Sequence, residues 1–220
     1  MKAEELISEY IPPIKYSETG EKALNWMNEF RVSHLPVVEG NNYIGIISDD
    51  DIFDMKDPEN EIKSELTVLQ QPFIYADAHV YAVMKMIADL KITIVPILDR
   101  DNNYLGCTDL LFLMSQITAV GSIKESGGIL VLEMNQHDYT LTQIARIVEE
   151  NDAKVWSSYV TSLQESTNIQ VTLKINTTDL DKIIRSFERY DYIIKESYSK
   201  GNYVEDLKRR YDELMNYLNM

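Results

Sequence analysis

The sequence predicts a mixed α/β chain: a tandem β-α-β-β-α repeat, then a separate unit of β-α-β-β-α-β order. Three observations carry this reading. The stretch His34-Leu35-Pro36-Val37-Val38 returns as Ile94-Val95-Pro96-Ile97-Leu98, with the prolines 60 residues apart. The same offset aligns Pro72 with Pro12, Ile74 with Ile14 and Ile87 with Met27, and an offset of 61 aligns Tyr104-Leu105-Gly106 with Tyr43-Ile44-Gly45. A repeat of this length is one supersecondary unit used twice. Beyond a glycine-bearing stretch at 121–128 the pattern changes, and strict apolar–polar alternation over Asn168 to Ile175 marks a half-buried strand of a different unit.

In chain order, Lys2 to Glu9 carries a helical pattern that must end before Pro12-Pro13, because the residue before a proline is pushed out of the α region. Ile14 to Tyr16 begins the first repeat as a short strand. Ser17 or Thr19 can cap a helix reaching about Arg31, with Leu24, Met27 and Phe30 near one face. His34 to Val38 and Tyr43 to Ile47 are β-branched strands, and the turn chemistry of Glu39-Gly40-Asn41-Asn42 makes them a hairpin. A helix from about Asp49 completes the unit. The second repeat follows the same order: a strand at Phe73 to Tyr75, a helix from about Asp77 to Leu90, two strands, and a helix near Leu110 to Ile117.

After the linker, Ile129 to Met134 reads as a strand and Leu141 to Glu150 as a helix with Ile144, Ile147 and Val148 inward. Val155 to Leu163 and Asn168 to Ile175 read as strands, Asp179 to Arg189 as a helix capped by Thr177 or Thr178, and Tyr192 to Ser197 as a closing strand. That is the split, ferredoxin-like order. From Tyr203 to Met220, Leu207, Tyr211, Leu214 and Leu218 recur at helical spacing, which predicts an amphipathic helix that docks on its own domain or pairs with a second subunit.

Composition narrows the function. Lysine and arginine number 21 against 36 aspartates and glutamates, a net charge of −15, so phosphate backbones and anionic lipid surfaces are repelled and neither nucleic acid nor membrane is an expected partner. No apolar run approaches the ~20 residues that span a bilayer, and the acidic start lacks the basic and apolar regions of a secretory signal, so a soluble, cytoplasmic protein is expected. Cys107 is the single cysteine, which rules out an intramolecular disulfide or a cysteine zinc site. His34, His79 and His137 lie in separate elements without metal-ligand spacing around them. With no glycine-rich phosphate loop, nucleophile elbow or acid pair present, no enzyme activity and no required cofactor or metal is expected.

The β-α-β-β-α order, the hydrophobic-Pro-hydrophobic strand and the ending Gly45-Ile46-Ile47-Ser48-Asp49-Asp50-Asp51 resemble the CBS domain, whose repeats pack as a pseudo-symmetric pair known as a Bateman module. The later βαββαβ unit resembles an ACT regulatory domain, and the combination is similar to acetoin-utilisation-type regulators. This organisation assigns residues 1–120 to the CBS pair, with repeats at about 1–60 and 61–120. It assigns 121–128 to the linker, 129–200 to the ACT-like domain and 201–220 to the C-terminal amphipathic helix. The resemblance implies a site for an adenosine-type nucleotide, such as AMP, ATP or S-adenosylmethionine as a regulatory ligand. Its candidate residues are Ser48, Asp51, His34, Pro36, Ile14 and Tyr16, with the serine on a phosphate and the aspartate on the ribose hydroxyls. It also implies a homodimer or higher homo-oligomer.

The residues themselves leave two readings open. Ser48 stands where strand meets helix, and Asp51 three residues on can complete a capping box with it, so both residues are explained without a ligand. A helix start also offers N–H groups to an anion and a carboxylate to a diol. Asp49 and Asp50 crowd the same place, and a like charge within a few ångströms costs about 1 to 4 kcal/mol, which favours an adenosine compound with little phosphate or one with a bridging cation. In the second repeat the offset puts Asp109 at the Ser48 position and Phe112 at the Asp51 position, so at most one intact site is expected per pair. The sequence therefore points to a non-catalytic nucleotide sensor, the ACT-like unit serving a second ligand or oligomerisation. The alternative is a ligand-free assembly module that binds a partner protein.

Overall fold

The computed structural model describes residues 1–163 and 166–199. The chain divides into two compact units, Met1–Gln116 and Ile117–Met220. The helix expected over 201–220 lies outside the described residues.

The first unit contains two three-stranded sheets of identical plan. In one, β1 (Ile14–Lys15), β2 (His34–Glu39) and β3 (Asn42–Ser48) lie in that order, with helices α1 (Gly20–Phe30) and α2 (Asp49–Phe53) and a further short helix, α3 (Ile62–Glu65). In the other, β4 (Ile74–Tyr75), β5 (Ile94–Leu98) and β6 (Tyr104–Asp109) repeat the order, with α4 (Val80–Leu90) and α5 (Leu110–Ile117). The first pair of strands in each sheet is parallel and the second antiparallel.

Each proline sits in the middle strand of its sheet, where a missing N–H would normally break the ladder. It is tolerated because the outer strand is only two residues long: β1 pairs Val37 and Val38 but not Pro36, and β4 pairs Ile97 and Leu98 but not Pro96. The duplication extends to the irregularities. Register shifts between Val37 and Val38 opposite Gly45 and Tyr43, and again between Ile97 and Leu98 opposite Gly106 and Tyr104, so one bulge occurs twice.

The glycine of that bulge is required by a crossover. The segment before each repeat lies on the sheet of the other: Ser8 N donates to Cys107 O at 2.8 Å, and Ile46 N donates to Gln70 O at 2.8 Å. A Cβ on Gly45 would stand 2.6 Å from Gln70 O, and one on Gly106 2.5 Å from the Ile7 side chain. This exchange also corrects the expectation of a helix over Lys2 to Glu9. Only a single 3-10 turn, Ala3–Leu6, forms, because Ile7 is extended (φ −67°, ψ 120°) and Ser8 N, which a continued helix would bond back to Glu4 O, is taken by Cys107 O. Long-range backbone pairing overrides the local pattern there.

Helix starts differ from expectation in two further places. α4 begins at Val80 and is capped by His79, whose Nδ1 accepts from Tyr81 N. Asp77 is instead held by Arg100, with contacts of 2.9 and 2.6 Å that keep its carboxyl below the usual carboxylate range. At α1, by contrast, Thr19 is the cap, accepting from Lys22 N.

The second unit is a four-stranded antiparallel sheet of order β10-β7-β9-β8, built from β7 (Gly128–Asn135), β8 (Val155–Ser162), β9 (Asn168–Ile175) and β10 (Ile193–Tyr198). Helices α6 (Leu141–Glu149) and α7 (Asp181–Arg189) complete the β-α-β-β-α-β order. The alternation of β9 is realised residue for residue, with Ile169, Val171, Leu173 and Ile175 buried. They pack with Leu130 and Leu132 of β7, Ile144 and Ile147 of α6, and Phe187 of α7. α7 starts at Asp181 without a side-chain cap. Thr177 Oγ1 accepts from Asp179 N, and Asp179 Oδ1 accepts from Asp181 N, so Thr177, expected as a cap, and Asp179, expected as the helix start, build the turn before the helix.

Candidate functional site

The site begins where β3 hands over to α2. Ser48 is the last residue of β3 and faces His34 across the hairpin. Its extended backbone (φ −100°, ψ 165°) frees the hydroxyl to accept from Asp51 N at 3.0 Å, while Asp51 Oδ2 accepts from Ser48 N at 2.8 Å and Ser48 Oγ at 2.6 Å. The capping box is complete. Both bonds to the carboxylate fall on Oδ2; among the described residues no donor reaches Asp51 Oδ1, and the side chain is exposed.

The second repeat confirms the equivalence drawn from the offset of 61. Asp109 pairs with Ile94 as Ser48 pairs with His34, and its Oδ1 accepts from Phe112 N at 2.9 Å, capping α5. Phe112 stands where the first repeat has Asp51, so this helix start has no second carboxylate.

The two repeats meet at Ser33, His34 and Thr93, the last being the positional mate of Ser33 60 residues on. Thr93 Oγ1 accepts from Ser33 N at 3.0 Å and lies 3.1 Å from His34 Nδ1, which also receives Thr93 N at 3.3 Å. With two donors converging on Nδ1, the ring proton belongs on Nε2 and the imidazole is neutral. Burial lowers its pKa in the same sense, and the charges of Asp49, Asp51 and Asp50 oppose the shift.

The remaining candidates are not gathered around Asp51. Ile14 is fully buried opposite Val37, and Pro36 is buried opposite Ile46. Tyr16 is half-buried, and its hydroxyl donates to Leu66 O at 2.6 Å, tying the end of β1 to the segment after α3. Ser48, Asp51 and His34 thus form one cluster, whereas Ile14, Pro36 and Tyr16 hold the sheet beneath it.

Beside the cluster lies a cleft of about 530 Å³, bounded by the last turns of α1, by Ser33 and Thr93, and by Asp49 and Phe53 of α2. None of the six candidates lines it. Asp49 and Phe53 are four residues apart and share a helix face, whereas Asp51 lies roughly 200° around the axis from Asp49. Arg31 and Thr93 line this cleft with Asp49 and were not singled out by pattern reading; the one available signal was Thr93 as the mate of Ser33.

The site offers hydrogen bonds and charge but no nucleophile with a base. Cys107 is buried in β6 and burial pushes its thiol up to about 11, leaving it protonated. Among the described residues no group of three or more His, Cys, Asp or Glu could hold a metal ion, and no helix is long and apolar enough to cross a membrane.

The family model for the CBS domain matches residues 3–56, which span the first repeat through α2. Similar solved structures include a CBS domain pair/ACT domain protein from Thermotoga maritima, at 18% identity and a TM-score of 0.48, covering 55% of this chain and 99% of that one. The CBS domains of a transcriptional regulator from Streptococcus pneumoniae align at 18% identity and a TM-score of 0.45, over 52% of this chain and 98% of that one. CBSX2 in complex with AMP aligns at 14% identity and a TM-score of 0.47, over 54% of this chain and 97% of that one.

Proposed function

We propose that Met1–Gln116 is a CBS pair that binds one adenosine-type nucleotide at the first repeat, and that the chain is a non-catalytic regulator. The observation that carries this is the exposed Ser48–Asp51 pair at the start of α2, inside the segment matched by the CBS domain model. Asp51 Oδ1 is open to a donor, and an ionised carboxylate suits a vicinal diol. The second repeat, with Phe112 at that position, binds no second nucleotide in the same way.

The β-α-β-β-α-β unit is read as an ACT-like domain, for a second metabolite or for assembly of a homodimer or larger homo-oligomer, and the protein as cytoplasmic. Bound nucleotide acts by its differential affinity for two arrangements of domains or subunits. One observation favours the other reading, a ligand-free assembly module: Ser48 and Asp51 satisfy each other without any ligand.

Thermal unfolding with AMP, ATP or S-adenosylmethionine separates the two. A ligand at 100 times its dissociation constant adds ~2.7 kcal/mol of stability. A rise in Tm with one of them supports the sensor; no rise with any at millimolar concentration transfers the lead to the assembly module.

A further inference from the structure

The cleft between α1 and α2 carries a feature that capping and packing leave unexplained. Arg31 and Asp49 both line it, yet they form no ion pair with each other. Among the described residues neither the Arg31 guanidinium nor the Asp49 carboxylate has an oppositely charged partner. The Asp49 carboxylate uses Oδ1 to accept from Asp50 N at 3.0 Å, leaving its other oxygen open. Between these charges the wall is mixed: Leu24 and Met27 of α1, Val32 and Phe53, which is 71% exposed at the rim, give it an apolar side, and Asn28, Ser33 and Thr93 a polar one.

We infer that this cleft is a second binding site, distinct from Ser48 and Asp51, for a small zwitterion with an apolar body, chemically an α-amino acid with an apolar side chain. The carboxylate pairs with the planar fork of Arg31, the ammonium with Asp49, and the side chain packs on Leu24, Met27, Val32 and Phe53. The charges select the class. A phosphate meets Asp49 with Asp50 beside it, and a simple cation meets Arg31; a ligand carrying both signs satisfies both walls and adds nothing to a net charge of −15. The volume, about 530 Å³, is within the range of small-molecule pockets.

The duplication supplies an internal comparison. At the equivalent positions of the second repeat Lys91 replaces Arg31, but Leu110 replaces Asp49 and Met114 replaces Phe53. The second repeat therefore keeps a cation and loses the acid, and the site is confined to the first. This inference does not depend on the nucleotide reading.

Calorimetric titration of the full chain with L-leucine, L-methionine and L-phenylalanine tests it, with 4-methylpentanoate and 3-methylbutylamine as leucine analogues lacking the ammonium or the carboxylate. At least one amino acid binds at millimolar concentration, and each leucine analogue binds at least about tenfold more weakly than leucine. Arg31→Gly and Asp49→Asn each weaken binding by about tenfold or more, the loss of one charge-assisted contact. Arg31 has φ 57°, a conformation that glycine adopts without cost, so Arg31→Gly does so without lowering Tm. Lys91→Gly, at the mate position with φ 54°, leaves affinity unchanged. No binding of any of the three amino acids, or binding that survives both Arg31→Gly and Asp49→Asn, overturns the inference.

Discussion

Replacing Thr108 by valine should stabilise the protein. Thr108 is fully buried in β6, and among the described residues its hydroxyl has no hydrogen-bond partner. Its mate in the first repeat, 61 positions earlier, is Ile47, also fully buried. The strand registers agree, since Val95 faces Thr108 as Leu35 faces Ile47. A hydroxyl buried without a partner costs about 1–3 kcal/mol relative to water. Valine has the same branched shape and removes that cost, so Thr108→Val should gain about 1–2 kcal/mol, or ~4–8 °C in the Tm of a unit this size. The reverse change, Ile47→Thr, should cost at least as much, because it buries a hydroxyl and deletes packed carbon. Urea denaturation followed by circular dichroism measures both. If Thr108→Val lowers the midpoint, the hydroxyl has a partner in solution and the assignment of an orphaned group is refuted. If Ile47→Thr is neutral, the two positions do not share a core environment.

Three other expectations follow from named contacts. His34 is held neutral by burial and by its bonds to Thr93, so its folded pKa lies below its unfolded value of about 6.5; its contribution is complete above that pH and is lost as pH falls through it toward the folded pKa. The stability gap between wild type and His34→Asn, which does not titrate, should therefore narrow between pH 7.5 and pH 5.5, and a gap independent of pH would contradict this. Gly45→Ala and Gly106→Ala should each cost about 2–3 kcal/mol, because the new Cβ meets the Gln70 carbonyl in the first and Cγ2 of the β-branched Ile7 in the second; a neutral effect of either in urea would count against the crossover argument. Light scattering at tens of micromolar should give at least twice the chain mass of 25.5 kDa, and a monomer mass would remove the homo-oligomer from the proposal.

Much of the architecture was legible because duplication and side-chain periodicity are local or self-referential signals. Pro36 and Pro96 marked equivalent strands, and the offset of 61 paired Gly45 with Gly106, although the bulge at both was not read from the sequence. Asn168–Ile175 was read with the bounds it has. What was missed depends on contacts between distant segments. Lys2 to Glu9 has a helical pattern, but the Ser8 N–H that would continue the helix is claimed by Cys107. The second helix was read as starting at about Asp77 because Arg100, 23 residues on, is invisible to local reading. The capping box at Ser48 and Asp51 was predictable from spacing alone. The His34–Thr93 junction was not, since its partners are 59 residues apart and belong to different sheets. The cleft escaped notice for the same reason: the end of α1, the start of α2 and Thr93 meet only once both repeats are folded.

The central claim is that the first repeat holds an adenosine ligand through Asp51, and calorimetric titration of Asp51 variants with AMP, ATP and S-adenosylmethionine tests it most directly. Hydrogen bonds to a charged acceptor contribute ~1.5–3 kcal/mol each. Asp51→Asn keeps an acceptor and loses the charge, while Asp51→Ala loses both, so affinity should fall in the order wild type, Asn, Ala, with Phe112→Ala binding as wild type does. If Asp51→Ala binds as tightly as wild type, or if wild type binds none of the three at millimolar concentration, Ser48 and Asp51 are a helix cap and nothing more.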